Sequence, residues 1–366
     1  MCAVCWPRGL RQHGITMDEI RADSLWFLVA HAHLRFRKGI PVVGAPASDR
    51  YVPLPGSGGV LMWWQLAQGA SVATLAESCS LPTEDVIELV GLLVQHGLVA
   101  AHPPAAPALE FHDAIAHARS RGRTDEGFGQ WEGPPLERAP HQGQRVDLPS
   151  VATDIGSRDA PFAHVVDVRR SSWSWSPTHL SLEQLSEFLA RSARRRPGSE
   201  PGSYPYPYAG PDGSTQIAIA AGRVAGLQPA LYLYDPVGHS LVLVPPRPSE
   251  AEARLPVGQY LQTVAHGHHV GDRHPAALLL VLSDLELMSS TYRGVSYANT
   301  LRTTGAVLAT ASLCATAMGL HTTILGLAAE DDFLNFYAES LPHLTTTGEL
   351  AVGVAGDTDR TRTLHQ

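Results

Sequence analysis

The chain has 366 residues, 35 of them acidic and 27 basic, giving a formal charge of −8, and Lys38 is its one lysine. That balance argues against holding nucleic acid by broad phosphate neutralisation, and chemistry that needs an ammonium must use Lys38 or do without. Hydrophobic residues make up 44% and charged residues 17%, so a large core is feasible, and the length points to two domains at roughly 100–200 residues each.

No run approaches the roughly 20 apolar residues needed to cross a bilayer, and the N-terminus has no basic start followed by an apolar core. The expectation is a cytoplasmic protein with no membrane contact. Cysteines at 2, 5, 79 and 314 are too scattered for a disulfide framework. Cys2 and Cys5 form a CxxC with no second pair at zinc-ribbon spacing, which reads as a reduced terminus or, less simply, as a metal or redox site.

In chain order, strands are expected over Ile40–Val43 and Tyr51–Leu54, then helices over Val60–Gln68, Val72–Ser78 and Pro82–His96. In the third helix Val86, Leu89, Val90, Leu93 and Val94 recur at three- and four-residue steps and form one apolar face. Gly97 stops it and Leu98–Ala101 follows as a strand. This outline, over residues 1–102, is that of a winged-helix-like module. The helix in the recognition position carries Glu84, Asp85 and Glu88 and no Lys or Arg, where a groove-reading helix needs cations and amide donors. A domain that holds a peptide or partner, and no nucleic acid, is expected.

Residues 103–162 read as a Pro/Gly/Arg-rich linker, with Arg119, Arg121 and Arg123 clustered in it. It is an exposed tether, or an arm that folds over the second domain to meet an acidic peptide. From 163 to 366 helices alternate with strands. Leu180–Arg194 is a helix entered through a capping box, Ser181 with Gln184. Strands are expected at Ile217–Ala221, Leu231–Tyr234, Leu241–Val244, Ala277–Leu282 and Leu350–Ala355, with a long Ala/Thr/Ser-rich helix at Leu301–Leu320. Helices flanking a mixed sheet make this an α+β domain.

Four features carry candidate chemistry. Arg169, Arg170, Ser171 and Ser172 place two guanidiniums and two hydroxyls in a short run, which suits a phosphate monoester or is a basic surface patch. Tyr204–Pro211 is an aromatic, Pro-rich loop whose Ala209 and Gly210 allow close approach to a flat ligand, or it is a structural turn. Arg360 and Arg362 follow the last strand and could complete a phosphate site. His266, His268, His269 and His274 lie together, but no Cys or carboxylate completes a ligand set, so a solvated helix end is expected and no metal.

The segments "RRSSWSW", "LSLEQLSEFL", "PYAG", "VAGLQPALYLYDPVGHSLVLV", "STYRGVSYANTL", "AVLATASLCATAMGL" and "LAVGVAG" occur in the order and near the spacing of the nitroreductase-like flavoproteins. Over Ala163–Gly356 the chain resembles the SagB/ThcOx-type azoline dehydrogenases of ribosomal-peptide biosynthesis. The resemblance implies an FMN-dependent nitroreductase fold preceded by the winged-helix-like domain, in a homodimer that works on a precursor peptide beside a cyclodehydratase. It implies FMN phosphate on Arg169 and Ser171 with Arg170 close by. It places Pro207, Tyr208, Ala209 and Gly210 beside the isoalloxazine ring, Leu325 and Gly326 at a backbone contact, and Arg360 or Arg362 as a second phosphate clamp. The implied reaction oxidises a thiazoline or oxazoline to a thiazole or oxazole, with a Lys-Tyr pair as base. This chain has Thr291-Tyr292 there, which leaves Tyr292 as the catalytic candidate, and Trp173 stands where relatives often carry another basic residue. Thr303, Ala306, Ala309 and Thr310 stand where many relatives carry a Glu, a His and a Gln-Asn pair. The rival readings are a non-catalytic scaffold subunit and a flavin-dependent reductase or oxidase for another peptide modification.

Overall fold

The computed structural model describes residues 20–45, 51–56, 58–104, 113, 114, 116, 136, 138, 141–151, 159–196, 203–246, 257, 261, 274–292, 295–326, 333, 336 and 337–356. The chain divides into two compact units, Met1–Gly127 and Phe128–Gln366.

The first unit contains β1 (Leu25–Leu28), β2 (His33–Arg37), β3 (Ile40–Gly44), β4 (Val52–Pro53), α1 (Gly59–Gln68), β5 (Ala70–Ser71), α2 (Val72–Cys79), α3 (Thr83–Gln95) and β6 (Val99–Ala100). Two small antiparallel sheets form, in the orders β5-β1-β6 and β2-β3-β4. The periodic face of α3 supplies the core, with Val86, Val90 and Leu93 fully buried beside Met62 and Leu75. Its end is built as the sequence indicates. Leu98 N–H reaches Leu93 O and Gly97 N–H reaches Val94 O, both at 2.9 Å, and Gly97 takes φ 63° to close the turn. Glu84, Asp85 and Glu88 lie exposed on α3.

The second unit contains β7 (Arg145–Asp147), α4 (Phe162–Val168), α5 (Leu182–Ser192), β8 (Thr215–Ala221), β9 (Ala230–Asp235), β10 (Ser240–Val244), β11 (Ala277–Ser283), α6 (Leu285–Thr291), α7 (Ser296–Ala317), β12 (Leu320–Ile324) and β13 (Thr345–Val354). Its sheet has the order β12-β13-β11-β8-β9-β10-β7, and each of these pairings is antiparallel. The mixed sheet expected from sequence is therefore corrected. β8, β9 and β10 form a meander whose short connections need no parallel crossover. The edge strand β7 falls inside the stretch read as a linker.

All seven residues of β11 are buried because both faces of the sheet are covered. Leu279 and Val281 face one core with α5 and α7, and Leu278, Leu280 and Leu282 face a second. The capping box on α5 is complete: Ser181 Oγ accepts from Gln184 N–H at 3.1 Å, and Gln184 Oε1 accepts from Ser181 N–H at 3.0 Å. Helix α7 buries Thr300, Thr303, Thr304, Val307, Leu308 and Ala311 on one stripe. It lies close to β13, since a Cβ on Gly348 would sit 2.5 Å from Thr304 Cγ2. Beside that contact Thr347 is the extra residue of a bulge, opposite the register shift at Val281/Leu282.

Candidate functional site

β11 and β12 end, and β8 and β13 begin, at one end of the sheet, because Ser283 pairs with both Thr215 and Thr345, and Leu325 N–H reaches Glu349 O. The loop that holds Pro207–Gly210 enters β8 there, and α6 leaves β11 there. This end gathers the described candidate residues.

The Arg169–Ser172 run follows α4 and lies along β12. Ser172 N–H donates to Thr322 O at 3.0 Å, Thr323 Oγ1 donates to Ser172 O at 2.5 Å, and Ser176 N–H reaches Val354 O at 2.9 Å. Val354 pairs with Leu320, so the segment runs antiparallel to β12. That direction carries Ser171, Arg170 and Arg169 toward the Ile324 end of the strand, where buried Leu325 and exposed Gly326 follow. Arg169, Arg170 and Ser171 are exposed, whereas Ser172 is buried and hydrogen-bonded to His321 Nδ1 at 2.9 Å. Ser172 is thus a fastening residue, and the others are presented outward.

The Tyr208–Gly210 loop is held from two sides. Ala209 N–H donates to Thr303 Oγ1 at 3.3 Å, so a threonine of α7 grips this backbone. On the other side, a Cβ on Gly210 would meet Ser214 Oγ at 2.6 Å and Met288 Cε at 2.8 Å, and its φ of +150° favours glycine as well. Met288 belongs to α6, and its carbonyl accepts Tyr292 N–H at 3.0 Å. One turn of α6 thus connects the loop to Tyr292, which is half-buried just past exposed Thr291.

A charged cluster outside the sequence expectations ties these parts together. Asp284 caps α6, its Oδ1 accepting from Leu287 N–H at 2.8 Å, and its own N–H donates to Ser214 O at 2.9 Å. Ser214 Oγ lies 3.0 Å from Tyr208 Oη, which gives its proton to Pro211 O at 2.5 Å. Arg138 closes the cluster, with Nε 2.6 Å from Asp284 Oδ2 and Nη2 2.8 Å from Glu286 Oε2. The hydrogen bond to Asp284, then that to Glu286, raises the guanidinium's pKa further. Burial pushes the Tyr208 phenol up, so it stays a neutral donor. An Asp just ahead of an apolar helix with an acid in its first turn is a readable cap signal. Nothing near Arg138 in sequence marks it.

Arg360, Arg362, Cys2, Cys5, His266, His268, His269 and the arginines at 119, 121 and 123 lie outside the described residues. Among the described residues no group of three or more His, Cys, Asp or Glu could hold a metal, and no helix is long and apolar enough to cross a membrane.

The sequence matches no protein-family profile and no curated protein. Solved structures to which the chain is similar include a protein designated a nitroreductase from Ralstonia eutropha JMP134, at 18% identity over 62% of this chain and 98% of that one, with a TM-score of 0.43. Another is the Escherichia coli microcin synthetase McbBCD complex with truncated pro-MccB17 bound, at 17% identity over 69% and 85% of the two chains, TM-score 0.41. A third, from Desulfovibrio desulfuricans, is designated a nitroreductase in complex with FMN, at 18% identity over 54% and 87%, TM-score 0.31.

Proposed function

We propose that the second unit is an FMN-dependent oxidoreductase of the nitroreductase-like type that modifies a ribosomally made peptide, oxidising a thiazoline or oxazoline to the aromatic ring. The observation that carries this reading is the gathering, at one end of one sheet, of outward-facing Arg169, Arg170 and Ser171, the close-packed Tyr208–Gly210 loop, Leu325–Gly326 and Tyr292. The donor set fits the cofactor: guanidiniums and a hydroxyl suit its phosphate.

In this reading Arg169, Arg170 and Ser171 hold the phosphate, with Arg360 or Arg362 as a second clamp. Pro207, Tyr208, Ala209 and Gly210 lie along the ring, and Leu325 and Gly326 offer backbone groups. Bound FMN would supply a two-electron hydride acceptor. Tyr292 takes the proton from the substrate α-carbon, and Arg138 acts as a positioning residue by pinning the start of the helix that ends at Tyr292. Pairing into a homodimer and work beside a cyclodehydratase belong to the same proposal. The first unit, as a winged-helix-like module over 1–102, holds the precursor peptide or the partner. It presents apolar Val60, Leu61 and Trp64 on α1, exposed by 45%, 40% and 55%.

Purified protein is expected to be yellow with the flavin absorbance bands, and to remove two daltons per azoline from a cyclised peptide. Colourless protein that does not take up added FMN would overturn the reading and leave the scaffold role. Yellow protein that adds two daltons with a nicotinamide donor would make it a reductase. Tyr292→Phe is expected to abolish the two-dalton loss while flavin stays bound, and full turnover by that variant would remove Tyr292 as the base.

A further inference from the structure

In the first unit β2 is an edge strand, paired with β3 on one side. Lys38 and Gly39 join the two at φ 51° and 81°, which is the two-residue hairpin turn that needs positive φ at both positions. The residues that close such a turn, Arg37 and Ile40, exchange backbone hydrogen bonds. Alternation then makes Arg35–Val42 a bonded pair and leaves Phe36–Pro41 and Leu34–Val43 non-bonded. Pro41, which has no N–H, suits that position, and its carbonyl is turned to the β4 side, where it accepts from Leu54 N–H at 2.9 Å. The N–H and C=O groups of Leu34 and Phe36 therefore point to the open edge. Among the described residues no backbone hydrogen bond reaches them from that side.

The two faces of this edge differ. Arg35 and Arg37 share one face, both exposed, with Cζ atoms 5.4 and 4.4 Å from the centroid of the Tyr51 ring. Tyr51 lies across Gly44, where a Cβ would sit 2.5 Å from its Cε1, so the glycine lets the ring turn a side to both guanidiniums. Lys38, the chain's one lysine, stands beside them in a left-handed position better suited to Asn, Asp or Gly. Among the described residues no carboxylate pairs with these three cations, and from Ser24 to Ser48 the chain has no Asp or Glu. On the opposite face Phe36 is 64% exposed. A cluster of cations thus borders an open backbone edge in a chain whose formal charge is −8. Three cations are too few for broad phosphate neutralisation, and the open edge asks for an occupant with N–H and C=O groups of its own. Cations on an edge also repel a like strand, which excludes a second copy of β2, and they favour one that carries carboxylates.

We propose that β2 is a docking edge for an extended acidic segment of a partner polypeptide, which adds to the sheet as a further strand. Its backbone pairs with Leu34 and Phe36. Because side chains alternate along a strand, its carboxylates meet Arg35, Arg37 and Lys38 while the residues between them lie on the Phe36 side. This gives a chemistry to the occupant of the first unit. It rests on the reading of that unit as a holding module and does not depend on the flavin.

The test is equilibrium binding of short peptides to the full chain, by ligand-observed NMR or calorimetry at neutral pH. A peptide of alternating Glu and Val is expected to bind saturably. Its Gln–Val analogue should bind about tenfold more weakly, the sum of two or three exposed ion pairs. A peptide of the same composition with the Glu residues in one block should be weaker too, since it cannot present them on one face. Arg35→Glu combined with Arg37→Glu, at two exposed positions, should lose the Glu–Val peptide and take up a Lys–Val peptide instead, a gain that unfolded protein would not show. If that reversal unfolds the unit, Arg37→Gln reads the same charge and should weaken Glu–Val binding severalfold. The proposal is overturned by an absence of saturable Glu–Val binding, by equal affinity for the Gln–Val or the block peptide, or by undiminished Glu–Val binding in either variant. Yellow protein that oxidises azolines and fails these binding tests would lose this site and keep the flavin reading. Colourless protein that passes them would keep the site alone.

Discussion

Arg138 and Pro149 both tie the stretch ahead of α4 to other helices of the second unit, and they do so by opposite means. Arg138 uses charge, reaching Asp284 and Glu286 at the start of α6. Pro149 uses neutral groups: its carbonyl accepts from Ser186 Oγ at 2.6 Å, Ser186 Oγ lies 2.9 Å from His239 Nε2, and His239 Nδ1 lies 2.9 Å from Tyr234 Oη. Ser186 spends its one proton on Pro149, so Nε2 must donate to it and Nδ1 must accept from Tyr234, a tautomer inferred from the network. The charged tie is expected to fail badly when one partner is removed. The neutral tie should lose less on substitution and answer to pH.

Arg138→Met carries the largest expected effect. Asp284 is 1% exposed, and without Arg138 its carboxylate stays buried with backbone donors alone. The expected loss is about 3 kcal/mol, toward the lower end for a broken buried pair because the Arg138 side chain is 23% exposed and water can reach it. Urea unfolding would measure it. Adding Asp284→Asn should recover most of the loss, since Asn still caps α6 and brings no charge. A double variant no more stable than Arg138→Met would show that charge is not what matters there.

On the neutral side, His239→Leu leaves Tyr234 and Ser186 without their imidazole partner, for a loss of about 1–3 kcal/mol. Burial first, and the nearby Arg194 guanidinium second, hold the His239 pKa below its ordinary value. The folded protein thus binds this proton less readily than the unfolded chain. The resulting stability is fully present above about pH 6.5 and is lost as pH falls through the lower folded value. Burial lowers the His141 pKa too, which adds a slope of the same sign. Between pH 7 and 5 the wild type should therefore lose stability more steeply than His239→Leu, and equal slopes would remove His239 from the account.

The two ties differ in how far the sequence discloses them. The α+β elements that rest on local pattern were legible: the apolar step of α3, the capping box of α5, the continuous apolar run of β11. The grouping of Arg169, Tyr208 and Tyr292 as a candidate site came through resemblance and not through local pattern. Arg138 was not legible, because its partners Asp284 and Glu286 are far away in the chain and a lone Arg in a Pro-rich stretch looks solvated. The sheet's direction was misread for a related reason. Alternating helices and strands resemble parallel units until hairpin pairing between β8, β9 and β10 is seen. Strand β7 has three residues, none of them buried, and gains its place only through pairing with β10.

Helix α5 allows the smallest effect to be measured against the neutral tie on a single element. Ser181 satisfies backbone donors of its own helix, whereas Ser186, 1% exposed, joins Pro149 to His239. Ser181→Ala should cost about 1 kcal/mol, the usual worth of an N-cap, and should leave the slope between pH 7 and 5 as in wild type because no titrating group is touched. Ser186→Ala leaves the Pro149 carbonyl and the imidazole N–H without their partner. It should cost as much or somewhat more, roughly 1–2 kcal/mol, and change that slope, since the hydroxyl that accepts from Nε2 is gone. If both variants shift stability by the same amount at every pH, His239 is not coupled to Ser186.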